Sequence, residues 1–370
     1  MNKPPLHVTG EVYYYPNTMS DKKSDKYNYS IAFMKFFFSF CVVCAHYWQM
    51  LNIDDFPISI MGMMTNAAAP SFFVISFYLT GKTYRSKEKS LLANRLLRLS
   101  VPQISWAVIY FTSFTVIGMI LNVIKIPNDF VIRFTKKDLL LQALFGSDRY
   151  LCPQFWYQFV LIVFTILIWC IYRFCEKYAV KILIFLGLSA LFLQYSGINY
   201  RLFCRFEFEF WYPMGRLAES LPFAVVGVLL LHHAIPAKTR KHRYYAVFIT
   251  ALLIMILSYI KIIPDPEYGF DYCGIQLIIF TISVFILFYA IPFEKIHESL
   301  KLALKVLSKY SFGVFCIHLG IGMVWERIIC YYLNLNTGSF IECVMIYAVS
   351  LVLSVLIYKI PGKYTKLLVT

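Results

Sequence analysis

The chain has 370 residues, 59% of them hydrophobic and 18% aromatic, with a mean hydropathy of +0.64. That apolar excess excludes a soluble α/β enzyme and points to an all-α polytopic membrane protein. The net charge of +15 then belongs to basic loops beside anionic lipid, and no basic module interleaved with aromatics argues for nucleic acid.

Residues 1–29 are polar and tyrosine-rich, without the basic-then-apolar order of a cleaved signal peptide, and are expected to form a flexible cytoplasmic tail. Ten apolar stretches follow, at about 30–51, 61–81, 100–122, 154–173, 180–197, 212–232, 244–262, 272–292, 309–328 and 338–358. Each is close to the ~20 residues that cross a hydrocarbon core. They make one transmembrane domain over 30–358, closed by a short tail, 359–370. With the amino terminus inside, the segments 1–29, 82–99, 173–181, 233–243, 293–309 and 359–370 carry 24 of the 35 lysines and arginines. The intervening loops carry 9, and Lys35 and Arg216 lie within spans. That asymmetry puts both termini in the cytoplasm. The longest outside connection, 123–153, is read as a small external cap, and 198–211 alternates charge with phenylalanine. No repeat of fixed period is present.

The ten cysteines are scattered. Cys41 and Cys44 form a CxxC, but inside an apolar helix, where small polarizable core residues are expected. Nothing has zinc spacing, so no metal is expected. Cys152, Cys204, Cys273 and Cys330 fall in outside loops, where two of them would be free to form a disulfide, with no pairing preferred.

The first span reads KFFFSFCVVCAH, from Lys35 to His46. Eleven steps of an α-helix return to nearly the same face about 16 Å further on. A cation and an imidazole therefore share a stripe, with Ser39 between them. His46 is the only histidine deep in the first eight spans. Beyond the second span comes a basic run with Arg95 and Arg98 three residues apart. Arg216 and Glu219 lie one turn apart at the start of the sixth span, either as a simple ion pair or as part of an outer pocket. Trp156 is either a membrane-interface anchor or a sugar platform.

Several of these pieces, in order, resemble the acyltransferase-3 family of integral-membrane acyltransferases, which acylate sugars and other hydroxyl acceptors. The first span resembles the family's opening helix, with a basic residue eleven positions before a histidine. PSFFVISFYLTGK is similar to its second span, NRLLRLSVP to its RxxR element, QFWYQFVLIV to its tryptophan-containing fourth span, and LSKYSFGVFCIHLGI to its late serine-tyrosine-histidine helix, with His318 at the matching position. Three positions depart from the pattern: Lys35 replaces an arginine, Ala32 an aspartate and Phe77 a glycine. The resemblance implies an O-acyltransferase using acetyl-CoA as donor and a saccharide or glycolipid hydroxyl as acceptor, in the lipid bilayer of a bacterial cytoplasmic membrane. His46 would be the general base. Lys35, Arg95 and Arg98 would meet the anionic donor from the cytosol, and His318, Arg216, Glu219 and Trp156 would contact substrate. Transfer would be direct or through an acyl-histidine. The alternative class is a transporter or flippase for a lipid-linked saccharide or small anion, although the paired halves and broken helices of many transporters are not evident.

Overall fold

The computed structural model describes residues 27–47, 56–81, 84, 89–123, 135–146, 153–196, 198, 211–232, 245, 249–254, 256, 275–291, 293–326, 338–362 and 364–370. Every regular element among them is a helix. In chain order these are α1 (Tyr29–Tyr47), α2 (Phe56–Asn66), α3 (Ala68–Leu79), α4 (Lys89–Val123), α5 (Lys136–Phe145) and α6 (Trp156–Phe174). They continue with α7 (Ala179–Tyr195), α8 (Trp211–His232), α9 (Ile275–Ala290), α10 (Glu298–Val324) and α11 (Phe340–Lys359). The all-helical membrane class expected from composition is the class found.

Seven of these helices are long and apolar enough to cross a membrane, and the bent pair α2–α3 raises the number to eight. The expected ten are therefore not all found among the described residues. The stretch 272–292 is a shorter helix, α9, and 244–262 lies largely outside the described residues. The second span is bent by 48° at Ala67 rather than straight. Pro70 has no N–H to give the Asn66 carbonyl, so the ladder stops there, and proline is tolerated in the first turn of the helix that restarts. The third span extends further than its apolar stretch: α4 begins at Lys89, so Arg95 and Arg98 stand on the same continuous helix as the apolar run. Pro102 leaves the Arg98 carbonyl without its helical donor, and one residue on, the Leu99 carbonyl accepts from Gln158 Nε2 at 2.6 Å.

The bundle is organised round α1, which packs against α2, α3, α9, α10 and α11. Large apolar side chains on α4 (Ile104, Met119), α7 (Phe185, Phe192) and α11 (Val352) remain exposed, as the lipid-facing belt of a membrane protein requires. Small residues allow the inner helices to approach. A Cβ on Gly227 of α8 would lie 2.6 Å from the Val74 carbonyl oxygen of α3, and one on Gly313 of α10 would overlap Ser354 of α11. Cys41 and Cys44 are buried in this packing, whereas Cys152, Cys204, Cys273 and Cys330 lie outside the described residues, as do residues 1–26 and most of 198–211.

Within the 123–153 connection, α5 carries a Thr135–Asp138 capping box and ends at Gly146 with φ of 62°. It packs against α4 and α6. After α11 the chain turns back on the bundle. The Leu368 carbonyl accepts from Trp106 Nε1 at 2.9 Å, and Val369 is buried.

The α3–α8 contact gives a direct test of the packing. Gly227→Ala must push against backbone and is expected to destabilise the purified protein by about 1–3 kcal/mol. Gly187→Ala, whose new methyl would meet Val225 at an ordinary 3.5 Å, should be near neutral. Thermal melts of both variants in detergent check this.

Candidate active site

His46 lies in the last turn of α1 and remains exposed, while its neighbour Tyr47 is buried. The Tyr47 hydroxyl donates to the Leu319 carbonyl of α10 at 3.2 Å, and its ring fills the space left by the missing side chain of Gly322. This contact fixes the end of α1 one residue from His318. The two imidazoles consequently face each other with ring centroids 5.4 Å apart and planes at 41°. Residues 272 positions apart in the chain share one site.

His318 is fully buried. Its Nδ1 lies 2.8 Å from the Phe315 carbonyl and 3.1 Å from that of Val314. The helix round it is gripped from outside. The Tyr110 hydroxyl of α4 donates to the Cys316 carbonyl at 2.6 Å and accepts from the Gly320 N–H at 3.1 Å, entering the ladder of α10. Gln154, just before α6, donates to the same Cys316 carbonyl at 3.3 Å.

Arg95 points into the bundle. Its Nη2 donates to Ser76 Oγ of α3 at 2.8 Å and its Nε to Thr165 Oγ1 of α6 at 3.2 Å. Arg98 is exposed. A spacing of three leaves the two side chains offset by about 60°, enough on this helix to separate a half-buried guanidinium from an exposed one. Lys35 is half-buried on α1. Between Lys35 and His46, Ser39 is buried, its hydroxyl on the Phe36 carbonyl at 2.7 Å and beside the Tyr347 hydroxyl at 3.2 Å.

Arg216, Glu219 and Trp156 come together. Arg216 Nη1 is 2.6 Å from Glu219 Oε2, and the guanidinium carbon stands 5.1 Å from the centre of the Trp156 ring. An aromatic run links this group to the histidines. Trp156 lies 6.2 Å from Tyr157, Tyr157 5.5 Å from Phe315, and Phe315 6.2 Å from His318. Sequence reasoning missed Tyr110, Gln154, Tyr157, Ser76 and Thr165. Gln154 and Thr165 were legible as polar residues in apolar stretches, but Tyr110 and Tyr157 were two aromatics among many.

These features define a helical membrane protein with a facing imidazole pair and intramembrane cations. The family model described as an acyltransferase domain, of the acyltransferase-3 type, matches residues 28–359. The match takes in nearly the whole bundle, and the chain belongs to that family of membrane acyltransferases. No curated protein and no solved structure matches it.

Arg95 ties α3, α4 and α6 together, so Arg95→Lys keeps the charge but loses the two-way fork. A loss of about 1–3 kcal/mol is expected, whereas Arg98→Lys should lie within about 0.5 kcal/mol of the parent. Melting temperatures in detergent distinguish the two.

Proposed function

We propose that this membrane acyltransferase moves a short acyl group, acetyl by default, from cytosolic acyl-CoA to a hydroxyl of a cell-surface or lipid-linked saccharide. The proposed setting is a bacterial cytoplasmic membrane, with both chain termini in the cytosol. The observation that carries this reading is the exposed His46 imidazole, 5.4 Å from His318, in a bundle that also holds the Arg95 guanidinium and the Arg216–Glu219 pair.

In the proposed reaction His46 takes the proton of the acceptor hydroxyl as its oxygen attacks the thioester carbonyl. The tetrahedral intermediate collapses, the carbon–sulfur bond breaks, and the His46 imidazolium returns the proton to the coenzyme A sulfur. Acyl-CoA enters from the cytosolic side. Lys35 and Arg98 offer charge to its phosphates, and Arg95 adds the N–H groups not given to Ser76 and Thr165. The acceptor lies against Trp156, beside the Arg216–Glu219 pair, since a saccharide presents both an apolar ring face and hydroxyls.

Two measurements test this. His46→Gln and His46→Ala should lower acyl transfer to the native acceptor by about 10²–10⁴-fold, read by mass spectrometry of the surface glycan or by radiolabelled acetyl incorporation in membranes. Acetyl-CoA binding to the purified protein should be saturable and weakened by Arg98→Ala. Full acetylation by His46→Ala overturns the reading, and solute movement without any acyl donor would replace it with transport.

A further inference from the structure

His318 has one ring nitrogen satisfied and one that is not. The two groups facing Nδ1 are the Phe315 and Val314 carbonyls. A carbonyl oxygen only accepts, so Nδ1 carries the proton, and in a neutral imidazole Nε2 is then a bare lone pair. That Nε2 is buried and has no hydrogen-bond partner among the described residues. Other buried acceptors, such as Gln154 and Gln158 Oε1, also lack a donor among the described residues, so what lies beside the bare nitrogen decides its role. Among the described residues two rings flank His318: Phe315 at 6.2 Å, which has no polar hydrogen to offer, and His46 at 5.4 Å, which has.

We propose that His318 is the positioning partner of His46. Its bare Nε2 accepts the N–H of His46, directly after a small rotation of the exposed His46 ring or through one water. Resting on the reading of His46 as base, this fixes the tautomer: the nitrogen turned to His318 keeps its proton and the other is bare for the acceptor hydroxyl. When His46 takes that proton, the positive charge is held by a hydrogen bond to a neutral imidazole rather than left unsupported in the bundle. The proton shared with His318 stays in place throughout, and the transferred proton leaves with the coenzyme A thiol. The backbone on both sides of His318 is pinned, which holds its ring in place: Tyr110 and Gln154 hold Cys316 on one side, and Tyr47 holds Leu319 on the other. His318 therefore acts through His46 instead of touching substrate.

Amide side chains separate the two nitrogens of His318. Glutamine puts an acceptor oxygen near the Nε2 position, while asparagine keeps a donor near Nδ1 and leaves nothing at Nε2. With acetyl-CoA as donor and membranes of the native host as acceptor source, His318→Gln is expected to stay within about tenfold of the parent kcat. His318→Asn is expected to fall by roughly 10–100-fold, the range for removing an orienting partner, with KM for acetyl-CoA unchanged. Equal loss in both variants, an unimpaired His318→Asn, or a change confined to KM overturns the proposal. An active His46→Ala instead overturns the base assignment beneath it. Nitrogen-15 histidine NMR of the parent protein needs neither turnover nor a His318 variant that folds. It should show one imidazole protonated at Nδ1 whose Nε2 resonance moves on His46→Ala, and a resonance indifferent to His46 would also overturn the proposal.

Discussion

Tyr47 reaches from the last turn of α1 into the gap that Gly322 leaves on α10, and its hydroxyl closes on the Leu319 carbonyl. Everything proposed for this molecule depends on that contact. Two imidazoles on helices at opposite ends of the chain have no intrinsic reason to meet. They meet because a tyrosine one position after His46 is buried against a residue one position after His318. In a bilayer, association between helices relies on close packing and interhelical hydrogen bonds rather than on expulsion of water. A glycine that accepts a whole aromatic ring, with a hydroxyl that finds a carbonyl, supplies both at one point.

The same logic accounts for the buried charges. Taking a guanidinium out of water is costly unless hydrogen bonds or an opposite charge accompany it. Arg95 is accompanied by two hydroxyls from two other helices, and Arg216 by a carboxylate and a tryptophan face. The two solutions differ in consequence. Arg216 is neutralised within its own helix and contributes little field at a distance. Arg95 is held by neutral hydroxyls, which leave its positive charge undiminished to act on whatever approaches between α3, α4 and α6.

Much of this was legible in the sequence, and what was not has physical causes. The membrane class followed from composition, because lipid-facing helices must be apolar on their outer faces as well as their inner ones. The proposal of His46 as base started from its isolation in an apolar span. The bend at Ala67 was legible in principle from Pro70, but the apolar run passes through it without a change of composition, so 61–81 read as one stretch. Arg95 and Arg98 read alike because a helical wheel sees only their spacing, and the choice of which one enters the bundle lies with Ser76 and Thr165 on other helices. The meeting of His46 with His318, and of Arg216 with Trp156, depends on helix order in the bundle, which local periodicity does not encode.

Most of the buried donors near the imidazole pair are already committed to the bundle. Ser39, Tyr47, Tyr110 and the side-chain nitrogens of Gln154 and Gln158 all spend their hydrogen bonds within the bundle, mostly on backbone carbonyls. Such bonds hold helices in register and leave those donors unavailable to a ligand. His46 keeps an exposed ring, and His318 satisfies one nitrogen and withholds the other. The Oε1 atoms of Gln154 and Gln158 are also buried without a partner among the described residues, so an unsatisfied acceptor does not by itself mark a site. What distinguishes His318 is that its bare nitrogen belongs to an imidazole whose ring lies 5.4 Å from a second, exposed one, and the proposed proton transfer rests on that arrangement.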